Sequence, residues 1–152
     1  MSEFEIRDVP SQHTAAIAVS ATTEDISEVM GEGFSKAFDA VTRSGATPGG
    51  PPLARYFAFG GPTLAFECAI PVAAPFAGDG EVKPSSVGGG PCVVYTHVGP
   101  YATLRETWEA MLAWIGEQGR TSAGPGWESY LTDPGAEPDP AKYVTEIYLP
   151  VE

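Results

Sequence analysis

Hydrophobic and polar residues alternate along the chain in a pattern that predicts two rounds of strand, helix, strand and strand. The elements of the first round lie at 13–19, 22–45, 50–60 and 63–72. The elements of the second round lie at 92–101, 102–119, 126–134 and 143–152. A Gly-Gly-Pro sequence at 60–62 predicts a hairpin turn between the last two strands of the first round.

Both predicted helices carry one apolar stripe and end at a glycine, Gly45 or Gly119. The stripe residues are Phe34, Phe38 and Val41 in the first helix and Leu104, Trp108, Met111, Leu112 and Ile115 in the second. Between the rounds, residues 76–90 are rich in glycine and proline and predict a connector or an irregular edge segment. They separate two halves, about 1–75 and 91–152.

The two halves correspond to each other at a nearly constant spacing. Phe34, Phe38, Val41, Gly45 and Tyr56 match Trp108, Leu112, Ile115, Gly119 and Tyr130 at an offset of 74 positions. Glu67 and Glu146 precede similar Pro-Val endings and are 79 positions apart. The five additional residues fall in a proline-rich loop, where insertions are tolerated. We infer an internal duplication of a βαββ unit within one domain spanning 1–152.

Two βαββ units predict an α+β fold in which both helices cover one face of a sheet and a concave ligand groove lies on the other. Neighbouring strand residues point to opposite faces. Burying Ile147 and Leu149 under a helix stabilises by about 1.5–3 kcal/mol each, so Glu146 and Tyr148 are expected to face away from the helix. The same argument places Glu67 on the far face, and we expect both glutamates to border one groove.

Composition and charge narrow the possible partners. The chain has 20 acidic and 8 basic residues, for a net charge of −12, which disfavours nucleic acid and anionic membrane surfaces. The cysteines, Cys68 and Cys92, and the histidines, His13 and His97, show no metal-binding spacing, so neither a metal nor another cofactor is expected. The sequence contains no signal peptide and no membrane-spanning run, which predicts a cytoplasmic protein.

Tyrosines are expected near these carboxylates. Glu128 and Tyr130 share a strand face, and Tyr56 is the repeat equivalent of Tyr130. A carboxylate surrounded by aromatic rings suits a delocalised organic cation, because the rings and the acid both attract positive charge. An ordinary sheet face on which the glutamates pair with Arg55 or Lys142 is the alternative, and the residues alone do not decide between the two.

Four segments carry a resemblance to a known family. They are "EDISEVMGEGFSKAF", "THVGPYATLRETWEAMLAWIGEQG", "WESYLTDP" and "EPDPAKYVTEIYLPV". Together they resemble the GyrI-like family, named for a bacterial gyrase inhibitor, which includes effector-binding domains of multidrug-responsive transcription regulators. The most specific combination is Gly99-Pro100-Tyr101, then Trp127-Glu128-x-Tyr130, then Thr145-Glu146 before Pro150.

The resemblance implies a central groove that binds lipophilic, often cationic, small molecules. Its acidic residue looks most like Glu146, with Glu67 and Glu128 as further candidates. The aromatic walls implied are Tyr56, Tyr95, Trp108, Tyr130 and Tyr148, although Trp108 also fits the helix core. Because few residues precede the first strand, we expect a stand-alone bacterial binder for drug sequestration or sensing, without an attached DNA-binding segment.

Two other functions compete with this one. Some GyrI-like proteins hydrolyse cyclopropane-bearing genotoxins, and a hydrolase would use Glu146 as general base, assisted by Glu67 or Tyr148. The third possibility is an interaction module with a protein partner, whose identity the sequence does not indicate. Residues 88–90 are either a hinge or a plain connector.

Overall fold

The computed structural model describes residues 4–58, 63–133 and 135–152. In these ranges the fold is mixed α+β, with eight antiparallel strands and two α helices, which confirms the predicted fold class. In chain order the elements are β1 (Glu5–Val9), β2 (Gln12–Ala21), α1 (Ile26–Arg43), β3 (Leu53–Ala58), β4 (Leu64–Pro71), β5 (Val82–Val87), β6 (Gly90–Val98), α2 (Leu104–Glu117), β7 (Trp127–Tyr130) and β8 (Val144–Pro150). The hairpin turn predicted at 60–62 lies outside the described residues.

The chain divides into two compact units. The first unit is residues 10–89, and the second unit combines Met1–Val9 with residues 90–152. In the first unit the strands are ordered β3-β4-β2-β5, and in the second β1-β6-β8-β7. Each unit has one helix, so each contains a strand, helix, strand, strand core and one additional edge strand.

The two edge strands, β1 and β5, are additions to the strands that the sequence pattern predicted. Residues 82–87, inside the Gly/Pro-rich segment, form a regular strand that pairs antiparallel with β2. Residues 5–9 pair antiparallel with β6. Both strands are largely polar, so they lack the alternation of apolar residues that signals a half-buried strand.

The strand registers support the internal duplication residue by residue. Arg55 lies opposite Glu67 on the β3–β4 ladder, and Ser129 lies opposite Glu146 on the β7–β8 ladder. These pairs are related by the offsets of 74 and 79 positions found in the sequence. Gly45 and Gly119, beyond the ends of the two helices, have φ values of 80° and 72°, which glycine adopts without strain.

Helix α1 packs closely against β4. A Cβ atom at Gly33 would lie 2.7 Å from the sulfur of Cys68, so a glycine is required where the helix touches the strand. This contact explains why the helix continues through a glycine that weakens helical propensity. It also shows that Cys68, and with it Phe66 and Ile70, lies on the face covered by the helix.

Part of each predicted helix stripe is buried and part is not. Met111 and Ile115 pack in the core of the second unit with Ile147 and Leu149 of β8. In the first unit, Val41 is fully buried. Two residues predicted as core, Phe38 and Leu112, are 49% and 44% exposed. They are repeat equivalents, so both helices present a large apolar side chain to solvent at the same position.

Candidate functional site

The sheet of the second unit has two chemically different faces. Ile147 and Leu149 are buried against α2, and this side is called the helix face below. Glu146 and Tyr148 alternate with these residues along β8 and lie on the opposite face. The predicted orientation of Glu146, away from the helix, is therefore confirmed.

In the first unit, Glu67 also faces away from the helix, because its neighbour Cys68 contacts α1. Its carboxylate is buried and already engaged. The Nε atom of Arg55 lies 3.3 Å from Oε1 of Glu67, and the hydroxyl of Ser85 donates a hydrogen bond of 3.1 Å to the same oxygen. The pairing with Arg55, considered as the alternative in the sequence, is therefore present at this glutamate.

Glu146 has different surroundings from its repeat equivalent. The position that holds arginine in the first unit holds Ser129 in the second. In the described ranges, no lysine or arginine forms an ion pair with Glu146. The hydroxyl of Tyr148 donates a 2.9 Å hydrogen bond to Oε1 of Glu146, and the Tyr148 ring stacks on Trp127 at a centroid distance of 4.8 Å. Burial, and then this hydrogen bond, raise the pKa of Tyr148 to about 12.

Glu128 lies on the helix face, because it is the cross-strand partner of Ile147. Only 5% of it is exposed. The indole Nε1 of Trp108, from α2, donates a 2.6 Å hydrogen bond to one carboxylate oxygen, and the Tyr130 hydroxyl donates a 2.6 Å hydrogen bond to the other. Two aromatic donors therefore fix the orientation of a buried carboxylate.

Two further tyrosines extend this aromatic group. The Tyr101 ring contacts Tyr130 at 5.7 Å and Tyr143 at 5.0 Å between centroids. Burial, and then the neighbouring Tyr143 and Glu128, raise the pKa of Tyr101 above its usual value. We call Tyr101, Trp108, Glu128, Tyr130 and Tyr143 the Glu128 cluster. It lies entirely within the second unit.

Three of the predicted wall tyrosines lie on helix faces and not beside the repeated glutamates. Tyr56 is paired with Phe66 and contacts its ring at 5.6 Å. Tyr95, the cross-strand partner of Ile147, packs on Phe4 at 4.8 Å and on the core of the second unit. Tyr130 lies in the Glu128 cluster. The expectation that these rings surround Glu67 and Glu146 is wrong, because the registers place them on the opposite face.

The Glu128 cluster has no acidic counterpart in the first unit. Ala54 occupies the position equivalent to Glu128, at the offset of 74, and is fully buried. Sequence reasoning gave most weight to the glutamate that is repeated, whereas the aromatic residues gather around one that is not. Tyr143 was missed, and the signal for Tyr101 was its place in the Gly99-Pro100-Tyr101 motif.

Within the described ranges, no group of three or more histidine, cysteine, aspartate and glutamate side chains is placed to hold a metal ion. No helix there is long and apolar enough to cross a membrane.

The sequence matches the GyrI-like small molecule binding domain over residues 2–152. The chain belongs to this family. No curated protein sequence matches the GyrI-like chain.

Solved structures show the same fold. The C-terminal domain of EcmrR has a TM-score of 0.83 and 19% identity, and the match covers 99% of the GyrI-like chain and 97% of that domain. In the structure of the EcmrR–DNA complex, the match has a TM-score of 0.86 and 18% identity but spans only 57% of the EcmrR chain.

Two other solved structures are relevant to ligands. SAV2435, bound to tetraphenylphosphonium, has a TM-score of 0.66 and 14% identity, with 99% of the GyrI-like chain and 94% of SAV2435 covered. A hydrolase from Listeria innocua has a TM-score of 0.68 and 18% identity, with coverage of 98% and 91%. At these identities the similarity to solved structures establishes only the fold. Membership of the GyrI-like small molecule binding domain family indicates that the chain is a small-molecule binding domain.

Proposed function

We propose that the protein binds lipophilic organic cations and that the Glu128 cluster is the main contact for the cation. The observation that carries this proposal is a buried carboxylate held by two aromatic donors and bordered by further tyrosine rings. Tyr101 and Leu112 are 38% and 44% exposed, and Leu112 lies one helical turn after Trp108. A lipophilic ligand beside the cluster would cover apolar surface that is now in contact with water.

Physical chemistry explains why such a site prefers a cation. Burying a carboxylate is costly, and a bound positive charge offsets that cost in a poorly hydrated environment. Aromatic faces add attraction for a delocalised cation. A ligand of about 25 heavy atoms at roughly 0.3 kcal/mol per atom would bind with about 7–8 kcal/mol, which corresponds to low micromolar affinity. The relative bound to tetraphenylphosphonium supports a ligand of this kind.

The test is calorimetric titration of tetraphenylphosphonium into the wild type and into Glu128→Gln. Glutamine keeps the shape and an acceptor oxygen, so the change removes mainly the charge. At an effective dielectric constant of about 20, a pair of charges about 5 Å apart is worth roughly 3 kcal/mol, so we expect a loss of affinity of about 150-fold. Glu146→Gln, the same substitution on the opposite face, is the matched control and should change affinity less than 2-fold.

A neutral ligand of similar shape separates the effect of charge on affinity from the effect of shape. Triphenylphosphine oxide offers similar rings without a positive charge, so its weaker binding should be the same in wild type and Glu128→Gln. Equal affinities of the two proteins for tetraphenylphosphonium would refute the proposed role of Glu128. A larger loss in Glu146→Gln would instead assign the cation to the opposite face, where the sequence first suggested it.

Hydrolysis remains a second candidate because of the contact between Glu146 and Tyr148. Glu146 could take a proton from water, whose oxygen would bond to a strained ring carbon while the ring carbon–carbon bond breaks. Tyr148 keeps its proton at neutral pH, since its pKa is raised to about 12, and could donate it to the carbon that leaves. The similar fold of a protein described as a hydrolase is consistent with this candidate.

Mass spectrometry of a cyclopropane-bearing alkylator incubated with the protein tests the second candidate. A hydrolase consumes many equivalents of substrate, loses turnover in Glu146→Gln and keeps it in Glu128→Gln. Consumption of less than one equivalent excludes catalysis and leaves binding.

The net charge of −12 supports our further proposal that nucleic acid is not a partner. Filter binding of duplex DNA at low salt tests this proposal, and retention of the DNA by the protein would contradict it.

A further inference from the structure

His97 is a buried histidine, with 7% exposure, that projects from β6 toward α2. Its Nδ1 lies 2.9 Å from the hydroxyl of Thr107, and its Nε2 lies 3.0 Å from the hydroxyl of Thr103 and 3.3 Å from the carbonyl oxygen of Pro100. Both ring nitrogens are therefore engaged by residues just before or within the first turns of α2.

The hydrogen-bond donors of this network assign one tautomer. The Thr103 hydroxyl donates its proton to the carbonyl of Pro100 at 2.8 Å, so in the contact with Thr103 the Nε2–H of His97 is the donor. Nδ1 is then unprotonated and accepts from the Thr107 hydroxyl at 2.9 Å, a shorter contact than the 3.5 Å from that hydroxyl to the carbonyl oxygen of Thr103. A proton on Nε2 therefore fits the contacts of His97 with both threonine hydroxyls.

These contacts bracket Tyr101 in the chain. Pro100 precedes it, Thr103 follows two residues later, and Tyr101–Thr103 form a single turn of 3-10 helix. The amide of Gly99 donates a 2.8 Å hydrogen bond to the carbonyl of Tyr143. One short 3-10 turn has little stability of its own, so the position of Tyr101 depends on contacts made by the residues around the turn.

The first unit lacks this network, and it has no acid at the position equivalent to Glu128. By strand register, Val19 is the equivalent of His97, because Val19 pairs with Phe66 as His97 pairs with Thr145. The equivalents of Thr103 and Thr107, at the offset of 74, are Val29 and Gly33. The histidine and its threonines therefore occur in the half that contains Glu128 and are replaced by apolar residues in the half that contains Ala54.

We propose that His97 is a positioning residue that, through Thr103 and Pro100, holds Tyr101 as a wall of the Glu128 cluster. This role rests on the proposed binding function, since it concerns how that site is kept in its binding conformation. When the contacts of His97 are removed, only a fraction of the molecules have Tyr101 in place, and the apparent affinity for ligand falls to that fraction of its original value.

The test is a double-mutant cycle with tetraphenylphosphonium as the probe. His97→Leu preserves side-chain volume and is expected to weaken binding 3- to 10-fold. In a Tyr101→Ala background, the same substitution should change affinity less than 1.5-fold, because the residue through which it acts is gone. His13→Leu, at the exposed second histidine, is the matched control and should bind as wild type does.

Thr103→Val is a second variant that keeps the side-chain shape and removes the hydroxyl bonded to both His97 and Pro100. It is expected to weaken binding like His97→Leu, and it carries the test if His97→Leu does not fold. An equal loss in the Tyr101→Ala background, or no loss in either variant, would overturn the positioning role.

A measurement without ligand separates this inference from the binding proposal. Nuclear Overhauser effects between the Tyr101 and Tyr143 rings should be present in the wild type and absent in His97→Leu and Thr103→Val. If the wild type shows no binding but the ring contact still depends on His97, the binding proposal fails and the positioning role stands. Persistence of the ring contact in both folded variants overturns the positioning role.

Discussion

Gly126→Ala is expected to damage both the stability of the protein and the Glu128 cluster. A Cβ atom at this position would lie 2.7 Å from Cη2 of Trp108 and 2.8 Å from the carbonyl oxygen of Tyr148. The carbonyl belongs to the backbone of β8 and cannot move cheaply, so the indole of Trp108 must move. That indole holds Glu128 through a 2.6 Å hydrogen bond.

The magnitude combines two effects. Forcing one methyl group into a packed region costs about 1–3 kcal/mol, and losing a hydrogen bond to a charged group adds about 1.5–3 kcal/mol. Since the indole and the backbone share the strain, we expect the free energy of unfolding to fall by about 2–5 kcal/mol. With a urea dependence of about 2 kcal/mol per molar, the midpoint should fall by roughly 1–2.5 M.

Urea unfolding followed by circular dichroism measures the midpoint, and the indole N–H resonance of Trp108, assigned with Trp108→Phe, reports its hydrogen bond. Gly124→Ala is the matched control, because nothing lies within 4 Å of its added Cβ, and its stability should change by at most about 1 kcal/mol. The reasoning is refuted if Gly126→Ala unfolds at the midpoint of Gly124→Ala, or if the Trp108 resonance is unchanged while stability falls.

Two further predictions concern the sheet faces that lie opposite the helices. Arg55→Met leaves the buried carboxylate of Glu67 without its ion-pair partner and should destabilise by about 2–4 kcal/mol in urea unfolding; the double change Arg55→Met with Glu67→Leu should recover most of that loss, and no recovery would argue against the pairing. The pKa of Tyr148 is raised in the folded state to about 12, so its stabilising contribution is complete below about pH 10 and is lost as pH rises toward 12. Between about pH 10 and 12 the free energy of unfolding should therefore fall less steeply in Tyr148→Phe than in the wild type, and equal slopes would contradict this assignment.

The helices and the duplicated unit could be predicted because their signals are local. The period of apolar residues and the terminal glycines lie within short windows, and the offset of 74 positions relates Gly45 to Gly119 without any knowledge of contacts. The orientation of Glu146 was predictable for the same reason, since Ile147 and Leu149 beside it leave one arrangement in which the apolar side chains are buried.

The composition of the site was harder to predict, because it depends on strand register. The strand Trp127–Tyr130 has no alternation of apolar and polar residues, so its sequence does not indicate which face carries Glu128. Only the pairing of Glu128 with Ile147 places it under α2. Tyr101 and Tyr143 are far apart in sequence, and the hydrogen bond from the Gly99 amide to the Tyr143 carbonyl joins the two segments that carry them.

The strand Glu5–Val9 belongs to a unit whose remaining residues begin at Gly90. During synthesis, residues 10–89 can therefore form their own strands and helix before β6, the strand that pairs with β1, has been made. The largely polar sequence of β1 is favourable during this interval, because an unpaired apolar strand would be prone to pair with another chain. Deleting the first nine residues should accordingly uncover an edge of β6, far along the chain from the deletion itself.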